Sequence, residues 1–180
     1  MARRAKQAGL AAIALTDHDS TDGVAAAAAE GAGLGVRVVP GCEFSVKAPW
    51  GELHLLGYFL PPADARLEAF LRETRAARRR RGEQIVAKLQ QLGVPIAWDD
   101  VDAQAKGGAV GRPHVARALV ERDASDDISD AFTRYLGRGR PAYVEKPLPR
   151  LADVAALVHA VGGVAVAAHL GDHGSEGQIR

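Results

Sequence analysis

Residues 11–23 read AAIALTDHDSTDG, and the organisation of the whole chain follows from this stretch. Its apolar part, Ala11–Leu15, has the length of a short buried strand, and the polar run Thr16–Asp19 begins where such a strand would end. In α/β proteins, polar side chains at the carboxyl ends of buried strands form binding and catalytic sites. The stretch therefore predicts a site that contains Asp17 and His18. A polar loop with a well-bonded histidine is the alternative, because such loops are common between strands and helices.

The segments that follow have an α/β pattern. An alanine-rich helix is expected over Val24–Ala32, with Ser20 or Asp19 accepting a backbone hydrogen bond at its start. Glycines end this helix, and a second buried strand is expected at Val36–Pro40. A turn then leads to a third strand at Leu53–Leu60. Strands that alternate with a helix predict the α/β class.

The middle of the chain has a different pattern. Apolar residues recur at helical spacing after residue 62, so residues 63–148 are predicted to form a helical insertion. The α/β pattern resumes in residues 149–180, where a helix at Leu151–Ala160 precedes a strand at Gly163–Ala168. The predicted organisation is therefore an α/β part over residues 1–62, the insertion, and a return to the α/β part.

The composition is that of an ordinary globular chain. Its 180 residues are 47% apolar and 25% charged, with 23 Lys and Arg against 22 Asp and Glu. A nearly neutral net charge argues against a protein that coats nucleic acid. The single cysteine, Cys42, has no intramolecular disulfide partner, which favours a cytoplasmic location. No apolar run approaches the ~18 residues of a membrane span.

Histidine and acidic residues recur next to the predicted strands. Asp17 and His18 follow the first strand, Glu43 follows the second, and His169 follows the last. His54 falls at the start of its strand, so it joins the others only if that strand is antiparallel to the second. Three imidazoles and one carboxylate suit Zn, Mn or Fe, and a glutamate can bridge two ions ~3.5–4 Å apart. The set predicts a metal site.

Each residue also has a structural interpretation when it is taken alone. His54 is compatible with a hydrogen-bonded histidine of the core, and Glu43 with a salt bridge at the end of a strand. The convergence of several such residues on strand ends favours the metal site.

The motifs in this order resemble those of the PHP (polymerase and histidinol phosphatase) family. They are Leu15–Asp19, Pro40–Ser45, His54–Tyr58 and Ala168–His169. The resemblance implies a distorted (βα)7 barrel that holds two or three divalent ions, with Mn first and Zn or Fe as alternatives.

The same resemblance implies roles for individual residues. Glu43 would bridge two metals, His54 and His169 would bind metal beside it, and His18 would complete the cluster. Asp17, His18 and Glu43 would form the catalytic group.

Two further motifs narrow the resemblance to one branch of the family. Gly111–Arg117 and Tyr135–Gly139, together with an arginine-rich helix, resemble the nucleoside 3',5'-bisphosphate phosphatases and 5'-exoribonucleases. This branch implies that Arg112, His114 and, less directly, Arg117 bind a substrate phosphate. A planar guanidinium and a helix start both suit phosphate, although a surface arginine and a capping histidine are the alternative. The arginine-rich run is expected to be mainly a solvated helix face.

The chain also departs from the family pattern. It has no His-x-His pair for the first strand and no Asp-x-His for the last, and the usual Ala-His-Pro is Ala168-His169-Leu170. The resemblance therefore predicts a partial barrel, truncated at both ends, that binds metal more weakly than a complete member. His173 is either an auxiliary ligand or part of a flexible tail.

The function implied by the resemblance is metal-dependent hydrolysis of a phosphomonoester, of the nucleotide 3',5'-bisphosphate type, by activated water. A 5'-to-3' exoribonuclease that acts on short RNA along the arginine-rich helix is one alternative. A non-catalytic remnant of the fold is another. The expected partners are a nucleotide or short oligonucleotide, with no membrane and no stable protein partner.

Overall fold

The structure is a computed structural model that describes residues 1–169. Residues 170–180 lie outside the described residues, and with them lie His173 and the last part of the predicted segment 149–180.

The chain divides into two compact units. Unit 1 comprises residues 1–71 and, of the described chain, 148–169, whereas unit 2 comprises residues 72–147. The predicted insertion begins nine residues before unit 2, at residue 63, and its status as a separate domain stays a prediction.

Unit 1 is built on a four-stranded sheet with the order β1-β2-β3-β4. Strand β1 is parallel to β2, and β2, β3 and β4 are successively antiparallel. The α/β class is thus confirmed, and so is the antiparallel direction of the strand that contains His54. The strands are β1 (Ala12–Leu15), β2 (Arg37–Ala48), β3 (Gly51–Tyr58) and β4 (Val164–Ala168).

Strand β2 is longer than the sequence analysis predicted. It continues past Pro40 to Ala48, so Glu43 lies in the middle of the strand and not at its carboxyl end. The prediction of a strand end before Glu43 was wrong because the apolar residues after Pro40 alternate with polar ones, which is the pattern of a strand with two different faces. The apolar members of this alternation are Cys42, Phe44 and Val46, all fully buried.

Helices cover one face of the sheet. The core on this face is formed by strand residues, by the start of α3 and by α7, and its largest members are Phe44, Leu53, Leu60, Leu67 and Leu71. The helices of unit 1 are α1 (Ala2–Gln7), α2 (Val24–Leu34), the beginning of α3 (Ala65–Gln91) and α7 (Leu151–Ala160).

The opposite face of the sheet carries the candidate site. Glu43 on β2 and His54 on β3 belong to it, because each alternates with residues of the core face. Apolar residues continue this face, since Leu56 pairs with Val166 and Tyr58 pairs with Val164. The two valines are 43% and 49% exposed.

Neither residue expected to cap α2 does so. The N-cap position is Gly23, with no side-chain hydrogen bond, and the hydroxyl of Ser20 instead accepts from the backbone N–H of Asp22. The carboxylate of Asp19 accepts from the backbone N–H of Ser45 on β2. The capping prediction was therefore wrong, because the polar run turns back onto the sheet before α2 begins.

Unit 2 is helical, with its own core around Leu89, Val101, Val115 and Leu119. Helix α5 begins at Arg112, where Gly111 is an extended N-cap residue with φ −145°. The helices of unit 2 are the rest of α3, α4 (Trp98–Ala105), α5 (Arg112–Glu121) and α6 (Ile128–Ala131), which continues as a π-helical turn over Phe132–Leu136. Within residues 1–169, no helix combines the length and the apolar character that a membrane span requires.

The contact between α2 and β2 gives a first prediction. A Cβ at Gly31 would lie 2.5 Å from the carbonyl oxygen of Val36 and 2.7 Å from Val38 Cγ2, so Gly31→Ala should destabilise the chain by ~1–3 kcal/mol. Gly33→Ala on the same helix is the matched control, because nothing lies within 4 Å of its Cβ position. It should stabilise by ~0.5–1 kcal/mol through helix propensity. Urea denaturation measures both, and equal effects of the two substitutions would contradict this packing.

Candidate metal centre

Glu43 is the centre of a cluster of three histidines. Its Oε1 lies 2.8 Å from Nδ1 of His54 and 3.5 Å from Nε2 of His169, and its Oε2 lies 3.8 Å from Nε2 of His18. The donor atoms of His18, Glu43 and His54 all lie within 4.8 Å of one another. The structure thus brings together the four residues that were predicted as metal ligands.

The register of the sheet produces this convergence. Strand β1 pairs Leu15 with Pro40, and the same offset continues past the end of β1 to an isolated bridge between His18 and Glu43. On the other side of β2, Ser45 lies opposite His54 in the antiparallel register. Glu43 and Ser45 are two residues apart on β2 and share a face. Glu43 therefore lies between His18 on one side of β2 and His54 on the other.

Two buried atoms of the cluster lack a hydrogen bond. Within the described residues, neither Glu43 Oε1 nor His54 Nδ1 makes a hydrogen bond, although the two atoms lie 2.8 Å apart. A buried polar atom without a hydrogen bond is costly, and a cation bound to both atoms would satisfy them. Imidazole and carboxylate donors also suit Mn, Zn and Fe. The residues present therefore fit a divalent metal ion.

A further contact orients the ring of His54, and the backbone of His169 has an unusual conformation. Nε2 of His54 lies 3.4 Å from Oε1 of Glu52, two residues earlier on β3, and a carboxylate on the second ring nitrogen is typical of histidines that bind metal. His169 follows β4 directly and has a positive φ of 56°. Such a backbone conformation is strained for a residue other than glycine, and it occurs often at functional sites.

Asp17 and Cys42 lie in this region, but neither belongs to the three-residue cluster of the described chain. The carbonyl oxygen of Asp17 accepts from the backbone N–H of Glu43 at 3.1 Å, whereas its carboxylate lies near Gly23. Burial, followed by the negative charge of Asp19, raises the pKa of the Cys42 thiol far above its usual range. Cys42 is therefore a neutral residue of the core.

Arg112, predicted to bind phosphate, lies in unit 2 at the start of α5. Its guanidinium carbon lies 5.4 Å from the ring centre of Phe132 and 5.5 Å from that of Tyr143, and its Nη1 donates to the carbonyl oxygen of Leu136 at 3.1 Å. Two aromatic rings and one carbonyl thus fix the plane of the guanidinium.

His114 and Arg117 lie on the same helix. Nδ1 of His114 accepts from the backbone N–H of Gly111 at 2.9 Å, so His114 caps α5 in its neutral form. Burial and the positive charge of Arg117 lower the pKa of His114 below its usual value. Arg117 also lines a cavity of about 500 Å³ with Glu121 and two aspartates, which is a poor environment for a phosphate.

The arginine-rich part of α3 has several internal partners. Arg79 pairs with Glu83 at 3.0 Å and lies over the ring of Trp98, and Arg80 pairs with Glu73 at 2.8 Å. Arg81 is buried, and its Nε donates to the carbonyl oxygen of Val144. Contacts of this kind stabilise the helix and unit 2.

Comparison with known proteins finds relatives along nearly the whole chain. No protein-family model matches the sequence. The 5'-3' exoribonuclease Rnm of Salmonella typhimurium is 34% identical over 173 residues, which are 95% of this chain and 59% of that protein. The 3',5'-nucleoside bisphosphate phosphatase of Chromobacterium violaceum is 37% identical over 164 residues, which are 89% of this chain and 57% of that protein.

The chain is similar to these exoribonucleases and nucleoside bisphosphate phosphatases over nearly its whole length. The resemblance found in its motifs is thus confirmed. The chain spans less than two thirds of the length of the curated relatives it matches.

A solved structure supports the same relationship. The crystal structure of a "putative metal-dependent phosphoesterase" from Bifidobacterium adolescentis matches with a TM-score of 0.88 at 34% identity. The match covers 99% of this chain and 65% of that one. The similarity to this phosphoesterase therefore holds for the fold as well as for the sequence.

Sequence reasoning missed the structural roles of Asp19 and Ser45. Asp19 was expected at a helix start, and Ser45 was quoted only as part of a motif. The strict alternation of residues 42–47 would have signalled that Ser45 shares a face with Glu43.

The cap formed by His114 gives a second prediction, on pH dependence. Because the pKa of His114 is lowered in the folded state, its contribution to stability is present above the usual pKa and is lost as the pH falls through the lowered one. In His114→Gln the side chain keeps an acceptor but does not titrate. The wild type should therefore lose more stability than this variant between about pH 8 and pH 5.

The control for this prediction is His159→Gln, which changes an exposed histidine of α7. Urea denaturation at several pH values gives the free energy of unfolding as a function of pH for the wild type and for each of the two variants. Parallel curves for the His114 and His159 variants would contradict the assignment of His114 as a neutral cap.

Proposed function

We propose that this chain carries the metal site of a metal-dependent phosphoesterase that hydrolyses a phosphomonoester of a nucleotide, of the 3',5'-bisphosphate type. The observation that carries the proposal is the cluster of three histidines around the half-buried Glu43, with two buried donor atoms that lack hydrogen bonds. The similarity to known proteins supports the reaction class, since the relatives include a nucleoside bisphosphate phosphatase and an exoribonuclease.

In this proposal His18, Glu43, His54 and His169 hold two or three divalent ions, with Mn as the first candidate. When bound, such ions polarise a phosphoryl oxygen and lower the pKa of water. The two carboxylate oxygens of Glu43 face different histidines, Oε2 facing His18 and Oε1 facing His54 and His169, which suits a bridging carboxylate.

In the proposal, a few further residues orient the site and the substrate. Asp17 acts through its carbonyl oxygen, which holds the backbone of Glu43. Arg112 and His114 bind a phosphate of the substrate in the proposal, supported by the fixed guanidinium plane of Arg112 and by the helix start beside it. Arg117 is a weaker candidate because acidic residues line the same cavity.

We also propose that unit 1 is part of a distorted (βα)7 barrel. The support is the division of its sheet into one face packed on helices and another that carries Glu43, His54 and exposed valines. In a barrel, such a second face would line the interior. The single buried Cys42 and the nucleotide substrate favour a cytoplasmic enzyme.

A 5'-to-3' exoribonuclease acting on short RNA is the second candidate, and the relationship to the Salmonella exoribonuclease favours it. The same cluster would serve both reactions. A track along the arginine-rich helix gains no support from Arg79, Arg80 and Arg81, because each already contacts a neighbour.

The third prediction tests the proposed function directly. Glu43→Gln keeps the shape of the side chain but removes its charge, so it should lower Mn²⁺ affinity by more than the ~10–100-fold typical of an indirect metal partner. Elemental analysis after Mn²⁺ loading measures the metal content. Phosphate release from adenosine 3',5'-bisphosphate and cleavage of a short 5'-phosphorylated RNA distinguish the two candidate activities.

Glu30→Gln is the matched control, because it removes the same charge from a partly exposed glutamate of α2 that pairs with Arg3. It should change neither metal content nor activity. Full metal content in Glu43→Gln would show that the site is misassigned, and metal without turnover in the wild type would favour a non-catalytic remnant.

A further inference from the structure

Asp19 is a charged residue with an unusual position. It is 1% exposed, and its φ of 49° lies in the left-handed region that residues other than glycine seldom adopt. Aspartate tolerates this region better than most residues, because its short side chain can bond locally. A buried carboxylate in such a conformation requires a specific partner.

The backbone around Asp19 continues the ladder between β1 and β2 by one step. The N–H of Glu43 donates to the carbonyl oxygen of Asp17 at 3.1 Å, and the N–H of Asp19 donates to the carbonyl oxygen of Glu43 at 3.0 Å. This pair of bonds is the repeating unit of a parallel ladder. In the next unit, the N–H of Ser45 would donate to the carbonyl oxygen of Asp19.

The carboxylate takes the place of that carbonyl. The N–H of Ser45 donates to Oδ1 of Asp19 at 3.3 Å. The positive φ of Asp19 turns the main chain away from β2 at this step, and the side chain supplies the acceptor that the departing main chain no longer offers. The ladder therefore ends without leaving the buried N–H of Ser45 unpaired.

We propose that Asp19 is a positioning residue whose carboxylate ends the β1–β2 ladder and thereby fixes His18 beside Glu43 and His54. His18 lies between the two bonded residues Asp17 and Asp19, so its backbone is held from both sides. Ser45, whose backbone N–H donates to the Asp19 carboxylate, lies directly opposite His54 on β3. The side chain of Asp19 thus links the backbone segments that carry His18, Glu43 and His54.

The proposed contribution depends on the acceptor and not on the charge. Asn keeps a side-chain oxygen at the same distance from the main chain and tolerates the left-handed conformation, so Asp19→Asn should preserve the arrangement. Gly also tolerates the conformation but offers no acceptor. Asp19→Gly therefore removes the cap on Ser45 without adding backbone strain.

The fourth prediction compares these two variants of the full chain with Asp123→Gly. Asp123 is a matched control because it is an exposed aspartate of unit 2 with a similar φ of 54°. The readouts are Mn²⁺ affinity by titration calorimetry and hydrogen exchange at the Ser45 amide. We expect Asp19→Gly to lower the affinity ~10–100-fold and to speed exchange at Ser45. Asp19→Asn and Asp123→Gly should stay close to the wild type.

Several outcomes would overturn the inference. Unchanged exchange at Ser45 in Asp19→Gly would mean that the carboxylate does not cap this amide, and unchanged Mn²⁺ affinity would mean that the cap does not position the site. A loss of Mn²⁺ affinity in Asp19→Asn would assign the effect to the charge, and this outcome decides the question even if Asp19→Gly does not fold. The affinity part rests on the proposed function. If the wild type binds no Mn²⁺, the proposed function fails, and the Ser45 exchange alone decides the role of Asp19.

Discussion

Two backbone hydrogen bonds hold the candidate metal centre to the sheet. They join Glu43 on β2 to Asp17 and Asp19, which flank His18 just beyond the end of β1. Without them, His18 would lie in a free loop, and its distance from Glu43 would depend on loop motion. With them, the strand register sets this distance, since it continues the pairing of the buried part of β1. The site is therefore as ordered as the sheet that carries it.

Strand β2 serves the core and the site at the same time. Phe44 and its apolar neighbours pack under the helices, whereas Glu43 and Ser45 face the other side. A half-buried carboxylate among imidazoles is unfavourable in a folding core unless a cation or a hydrogen-bond network compensates it. Its presence at the centre of the sheet indicates that this face is organised for binding and that the helical face supplies the stability.

Sequence patterns predicted the α/β class, the helical character of the middle region and the residues that converge on Glu43. These features depend on local periodicity and on strand direction, which a single sequence contains. The length of β2 and the role of Asp19 were not predicted. Pro40 and Gly41 suggested a strand end, although the alternation of polar and apolar residues continued beyond them. The role of Asp19 depends on which strand lies beside it, and this pairing is a tertiary property that local propensity does not contain.

Anomalous X-ray scattering from a crystal of this chain soaked with Mn²⁺ would test the central claim most directly. The account predicts an anomalous peak within bonding distance of Glu43 and of ring nitrogens of His18 and His54, the three residues whose donor atoms already lie within 4.8 Å. A peak elsewhere on the chain, or no peak at Glu43 at saturating Mn²⁺, would contradict it.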